Sequence, residues 1–218
     1  MTELAFAVLD VAPEPYGAAP TLLFRVRLTE STGAAVHAVA LRAQVRIEPQ
    51  RRGYEDRERG GLTDLFGTPD RWTQTVRPFL WAHATAMVRG FTGEIEFDLP
   101  VPCTYDFEVA AAKYLHALRD GEVPLRVLFS GTVFTRPPVP PETRGPAGFG
   151  VEQVPWHLES AYRMPVRVWR DLMDLHFPGG GWIRLDRDTL DALARYRSER
   201  GLTSWEQALG ELLAGVPS

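Results

Sequence analysis

A chain of 218 residues with 44% apolar and 24% charged residues carries enough nonpolar surface for a full hydrophobic core, which excludes a disordered polymer. Its formal charge of −4, with arginines mixed among acids, argues against the basic stripe of a nucleic-acid binder, and leaves only local patches such as Arg51 and Arg52. The single cysteine excludes an intrachain disulfide and any multi-cysteine zinc or iron–sulfur site within one chain, so a reducing cytoplasm fits best.

The opening MTELAFAVLDVAPE has no basic region, no unbroken apolar stretch and no cleavage site, so no signal peptide is read there. Apolar runs fall short of the ~20 residues that span a bilayer, and direct membrane insertion is not expected. Leu4, Phe6 and Val8 mark a first strand, closed by PEPYGAAP. In TLLFRVRLTE, Leu22, Phe24, Val26 and Leu28 share one face while Arg25 and Arg27 occupy the other. Val39, Leu41, Ala43, Val45 and Ile47 repeat that alternation, with Arg42, Gln44 and Arg46 on a polar side, which suggests an antiparallel sheet with one wet face.

QRRGYEDRERGG, residues 50–61, reads as a charged, solvated loop, LTDLF as one helical turn, and GTPDRW as its end. Ile95, Phe97 and Leu99 alternate with Glu94, Glu96 and Asp98 in a further strand that Pro100 and Pro102 close. Tyr105, Phe107 and Val109 read as a short strand, AAAKYLHAL as a helix and PLRVLFSGTVF as a strand. Strands without regularly alternating long helices predict a β-sandwich rather than a parallel sheet.

PPVPPETRGPAGFG at 137–150 has proline and glycine without periodicity and reads as an extended linker. Beyond it the period becomes helical. Pro165 opens a helix whose Val168, Trp169, Leu172, Met173 and Leu175 are apolar, and Pro178 with Gly179 to Gly181 ends it. Asp188 is the expected cap of the next helix, and Thr203 with Glu206 have capping-box spacing before the last. The predicted class is α+β: an antiparallel β-sandwich with short inserted helices at 1–136, a linker at 137–150, and a small helical module at 151–218 packed on the sandwich.

Catalytic motifs are not found: there is no HExxH, no GxSxG, no phosphate-binding glycine loop and no kinase signature. No cofactor is therefore expected. His83, Cys103 and His116 are the residues from which a metal site or a Cys/His nucleophile pair would have to be gathered, though ordinary buried or exposed roles account for each. Trp81 and His83 in FLWAH, and Trp156, His157 and Tyr162 in VPWHLESAY, fall in weakly periodic segments. Because Trp and Tyr are enriched in binding hot spots, these five form the candidate interaction surface; the alternative is that the rings seal helices to the sheet.

RIEPQRR, RPFLWAH, VPCTYDFEVAAAKY, VEQVPW and VWRDLMDLHFP resemble an uncharacterised actinobacterial family that carries a domain-of-unknown-function label. The resemblance spans nearly the whole chain, and none of these segments is a mechanistic motif. It implies an association with uptake-type nickel-iron hydrogenases, beside whose genes such proteins are encoded, and hence a hydrogenase subunit or maturation factor as partner. The expectation is a non-enzymatic accessory, scaffolding or chaperone-like protein. Its alternatives are a metal carrier or thiol enzyme using Cys103 and histidines, and a structural homo-oligomer formed through exposed sheet edges.

Overall fold

The computed structural model describes residues 2–106, 109–135, 150–180 and 183–215. The expected linker at 137–150, Gly150 apart, lies outside them, as do Phe107 and Gly181. Among the described residues eight strands are formed: β1 (Leu4–Pro13), β2 (Thr21–Glu30), β3 (Val36–Ile47), β4 (Phe79–Phe91), β5 (Glu94–Pro102), β6 (Glu122–Thr135), β7 (Gly150–Gln153) and β8 (Glu159–Pro165). The helices are α1 (Asp56–Phe66), α2 (Trp72–Thr75), α3 (Ala110–Ala117), α4 (Val166–His176), α5 (Arg187–Glu199) and α6 (Trp205–Ala214). The fold is thus α+β, with antiparallel sheets and C-terminal helices.

One sheet runs β1–β2–β5 and the other β4–β3–β6, with β7 and β8 sharing the far edge of β6. All pairings are antiparallel. Alternation along β2 and β3 buries Leu22, Phe24, Val26 and Leu28 from one sheet and Val39, Leu41, Val45 and Ile47 from the other in one continuous core. Phe6 stacks on Phe129 at 4.2 Å between centroids, and Phe24 meets Trp81 edge-on at 6.3 Å, so rings from both sheets share that core. Each such side chain contributes about 1.5–3 kcal/mol on burial. The outer edge of β1 is not left bare. The Val8 amide donates to Ser160 Oγ at 2.9 Å, and the Thr2 amide and hydroxyl donate to Glu152 Oε2 at 2.7 and 2.9 Å, which blunts a strand edge otherwise open to further pairing.

Several segments differ from expectation, each for a physical reason. Residues 56–61, expected in a loop, begin α1: a capping box joins Glu55 and Glu58, and the buried Glu58 is neutralised by Arg52, so the polar sequence is helical despite Gly60 and Gly61. Arg52 is accordingly no part of a basic surface patch. Phe79–Phe91 is a strand although its pattern is faint, because Ala82, Ala84 and Ala86 are small enough for either face and a register shift lies between Val45 and Arg46. Tyr105 is not in a strand, and Val109 instead caps α3. From Gly150 the chain first adds β7 and β8 to the larger sheet before α4 begins at Val166. Asp186 rather than Asp188 caps α5, accepting from the Thr189 amide at 2.8 Å, and Ser204 caps α6.

The chain divides into compact units Met1–Gly181 and Trp182–Ser218. In the first, α4 buries Val166, Trp169, Leu172 and Met173 beside β1, β2 and β8. In the second, Arg197 lies over the Trp205 ring at 3.9 Å and the Tyr196 hydroxyl donates to Glu211 at 3.0 Å, which pins α5 to α6. No helix among the described residues is long and apolar enough to cross a membrane.

Candidate functional site

A loop of five residues, 154–158, interrupts the far edge of the larger sheet between β7 and β8. Its position is set by Gly131 in β6. That glycine has φ +145°, and a Cβ there would lie 2.2 Å from the Ala40 carbonyl oxygen, so only glycine lets β6 approach β3 at this point. Beside it, Gly131 O accepts from the Val154 amide at 3.0 Å and Leu158 O accepts from the Phe129 amide at 2.9 Å. Val154 is buried and Leu158 packs on the core, so both ends of the loop are held.

Trp156 projects from this anchored loop with 89% of its surface exposed. Its ring meets His157, also exposed, at 5.8 Å in an edge-to-face arrangement. Exposing an indole forgoes about 2–3 kcal/mol of burial free energy, and no ring among the described residues but His157 contacts it. With the backbone held at both ends, contact with another surface costs mainly the ordering of the side chain itself.

The other three interaction candidates are placed differently. Trp81 turns inward and packs on the core against Phe24. Tyr162 also packs against the core, with its hydroxyl toward Asp10 Oδ1 at 3.4 Å; burial, then the Asp10 charge, raise its pKa. His83 is exposed on β4, opposite Gln44 of β3. Trp156 and His157 are therefore brought together, and Trp81 and Tyr162 are taken up by packing.

Cys103 follows β5 and lies against the core, where burial pushes its thiol up to about 12, only partly offset by a backbone hydrogen bond. Burial thus favours the neutral thiol over the free thiolate that a nucleophile uses. His116 sits on α3 with its ring edge-on to Tyr105 at 4.6 Å and Trp169 at 4.5 Å. Among the described residues no three His, Cys, Asp or Glu side chains are grouped so as to hold a metal ion.

Burial, and secondarily the nearby Arg170 guanidinium, hold His116 down at about 4. Because the folded value lies below the unfolded one, the unfolded chain binds the extra proton between pH 6.5 and 4. Stability from this group is complete above about pH 6.5 and is lost as pH falls through the folded value. The shift corresponds to about 3 kcal/mol, reduced to about 1–2 by the part of the ring still in water. His116→Phe is expected to flatten the urea-midpoint dependence over that window; an unchanged slope contradicts the assignment.

Sequence reasoning missed the ionic cluster around α1. Arg52 Nη2 donates to Glu58 Oε1 and Oε2 at 2.8 and 3.0 Å and to Asp120 O at 3.1 Å, beside a cleft of about 460 Å³ that Tyr54 and Gly121 also line. Glu58 further accepts from the Arg119 amide at 2.8 Å and the Glu55 amide at 3.2 Å. Three donor groups thus make four hydrogen bonds to its two oxygens, and both oxygens are engaged. Tyr54, whose hydroxyl bonds Pro49 O at 2.7 Å and Tyr114 at 2.8 Å, is pushed up to about 12 by burial. The Glu55…Glu58 spacing was the readable signal; the partner on Arg52 was not.

The chain belongs to the family of unknown function DUF6084, whose model matches residues 1–217. No curated protein matches it. Among solved structures it is similar to beta-glucosidase 3B from Thermotoga neapolitana, solved with alpha-D-glucose, at 15% identity and TM-score 0.26, covering 74% of this chain and 17% of that one. It is also similar to a beta-glucosidase from Kluyveromyces marxianus at 9% identity and TM-score 0.25, covering 75% of this chain and 15% of that one. The chain thus spans less than a fifth of the length of either enzyme.

Proposed function

We propose that this protein is a non-enzymatic accessory or scaffolding protein, built on a β-sandwich, that holds a partner protein through the Trp156 loop. The observation that carries the reading is the exposure of Trp156 on a backbone fixed at both ends. Buried Trp anchors dominate many interface energies, and pre-fixed anchors bind at lower entropic cost. The burial of the Cys103 thiol and the engagement of both Glu58 oxygens favour this reading over a thiol- or carboxylate-dependent enzyme. A cytoplasmic location fits the lone cysteine. The resemblance adds the partner class: a hydrogenase subunit or maturation factor.

Affinity capture from the native host tests it. The intact chain is expected to retain a hydrogenase subunit or maturation factor stoichiometrically, and Trp156→Ala to weaken retention about thirtyfold, the factor for a hot-spot loss of about 2 kcal/mol. Equal retention by the variant, or recovery of no such protein, overturns the proposal.

A further inference from the structure

The two sheets present outer faces of different electrostatic character. On β2, Arg25 and Arg27 lie opposite Asp98 and Glu96 of β5, and ion pairs at 3.6 and 2.6 Å neutralise them. On β3 the outward positions are Ala38, Ala40, Arg42, Gln44 and Arg46, alternating with the buried Val39, Leu41, Ala43, Val45 and Ile47. Strand register adds Arg89, opposite Ala38, and Arg126, opposite Arg46. Arg126 is balanced by Glu48 and Glu159. Among the described residues Arg42, Arg46 and Arg89 make no ion pair.

Arg46 lies directly across from Arg126, whose charge is already taken up by Glu48 and Glu159, so Arg46 is left with its own charge unpaired. Between the arginines the surface is shallow: Ala40 is flanked by Met87 and Thr132, and Arg42 by Thr85 and Ser130. A depression of about 340 Å³ lies over Ala40, Thr85 and Met87, and Met87 is 71% exposed. Small residues let a backbone lie close, Met adapts to varied apolar contacts, and unpaired guanidinium groups match carboxylates in two-pronged geometry.

We propose that the outer face of the five-stranded sheet, centred on Arg42, Arg46 and Arg89, receives an acidic extended segment of the protein partner. This rests on the adaptor reading and names the chemistry of what is bound. An acidic polypeptide is favoured over a nucleic acid because the three arginines form a local patch rather than the basic stripe that phosphates require, and Ala40 and the exposed Met87 between them suit an extended backbone with side chains of its own.

Fluorescence anisotropy of a labelled oligo-glutamate peptide with the full chain tests the proposal, with an oligo-deoxythymidylate titrated in parallel. Saturable, salt-sensitive binding of oligo-glutamate is expected, with Arg42→Gln plus Arg46→Gln weakening it about tenfold or more, the size of one to two charge-assisted contacts. The matched pair Arg25→Gln plus Arg27→Gln on the other sheet is expected to bind as the unaltered chain does. No saturable binding, equal loss from both double variants, or tighter binding of the oligonucleotide overturns the proposal. Native-host capture that depends on Trp156 but not on Arg42 and Arg46 leaves the adaptor reading standing and removes this one; loss of Trp156 dependence removes the adaptor reading itself.

Discussion

Glu58→Leu is expected to destabilise the protein by about 3–5 kcal/mol, read as a fall in the urea midpoint at constant slope. Glu58 is 2% exposed and carries both oxygens' hydrogen bonds to Arg52 and to the Arg119 and Glu55 amides. Its removal leaves a guanidinium whose side chain is 10% exposed with carbonyl acceptors only, and takes away the reciprocal cap of α1. Because desolvation opposes such a pair, the loss reflects the stranded charge more than the worth of the bridge. Arg52→Met combined with Glu58→Leu should therefore recover most of the stability. A double variant as unstable as Glu58→Leu alone contradicts that view.

Gly131→Ala is expected to cost about 2–4 kcal/mol, through strain at positive φ and a Cβ driven into the Ala40 carbonyl. Gly121→Ala is the comparison: its φ is +78°, but nothing lies within 4 Å of the new methyl, so only about 1 kcal/mol is expected. Equal costs would show that the approach of β6 to β3 is not tight. Gly131 also accepts from Val154, so the variant is expected to loosen the 154–158 loop and raise amide exchange at Val154 beyond that of Leu28 in the core.

These two sites show what could be seen in the residues alone. β2 and β3 were legible because each buries one face, and a period of two with arginines on the wet side has no competing reading. β4 was not, since alanines on a strand erase the contrast between faces. The first half of α1 was hidden, although LTDLF was read as helical, because its decisive residue is a buried acid whose partner sits six positions earlier, outside any helical period. β7 and β8 are short and draw their stability from the edge of β6, a long-range pairing that local pattern does not encode.

Trp156 and His157 stand out in the sequence because they break periodicity, and both are exposed. Trp81, which breaks it equally, is half-buried against the core. The unneutralised arginine face was invisible for a different reason: it is assembled by the register of β3 with β4 and β6, and the sequence shows each arginine only as one more polar residue on its own strand.

The central claim is that the protein meets its partner at Trp156. Photo-crosslinking in the native host tests it, with benzoylphenylalanine placed at Trp156 or at Tyr16, which is 97% exposed in the turn after β1. A discrete crosslinked species from position 156 and none from position 16 is the predicted result. Crosslinking from 156 no stronger than from 16 contradicts the account.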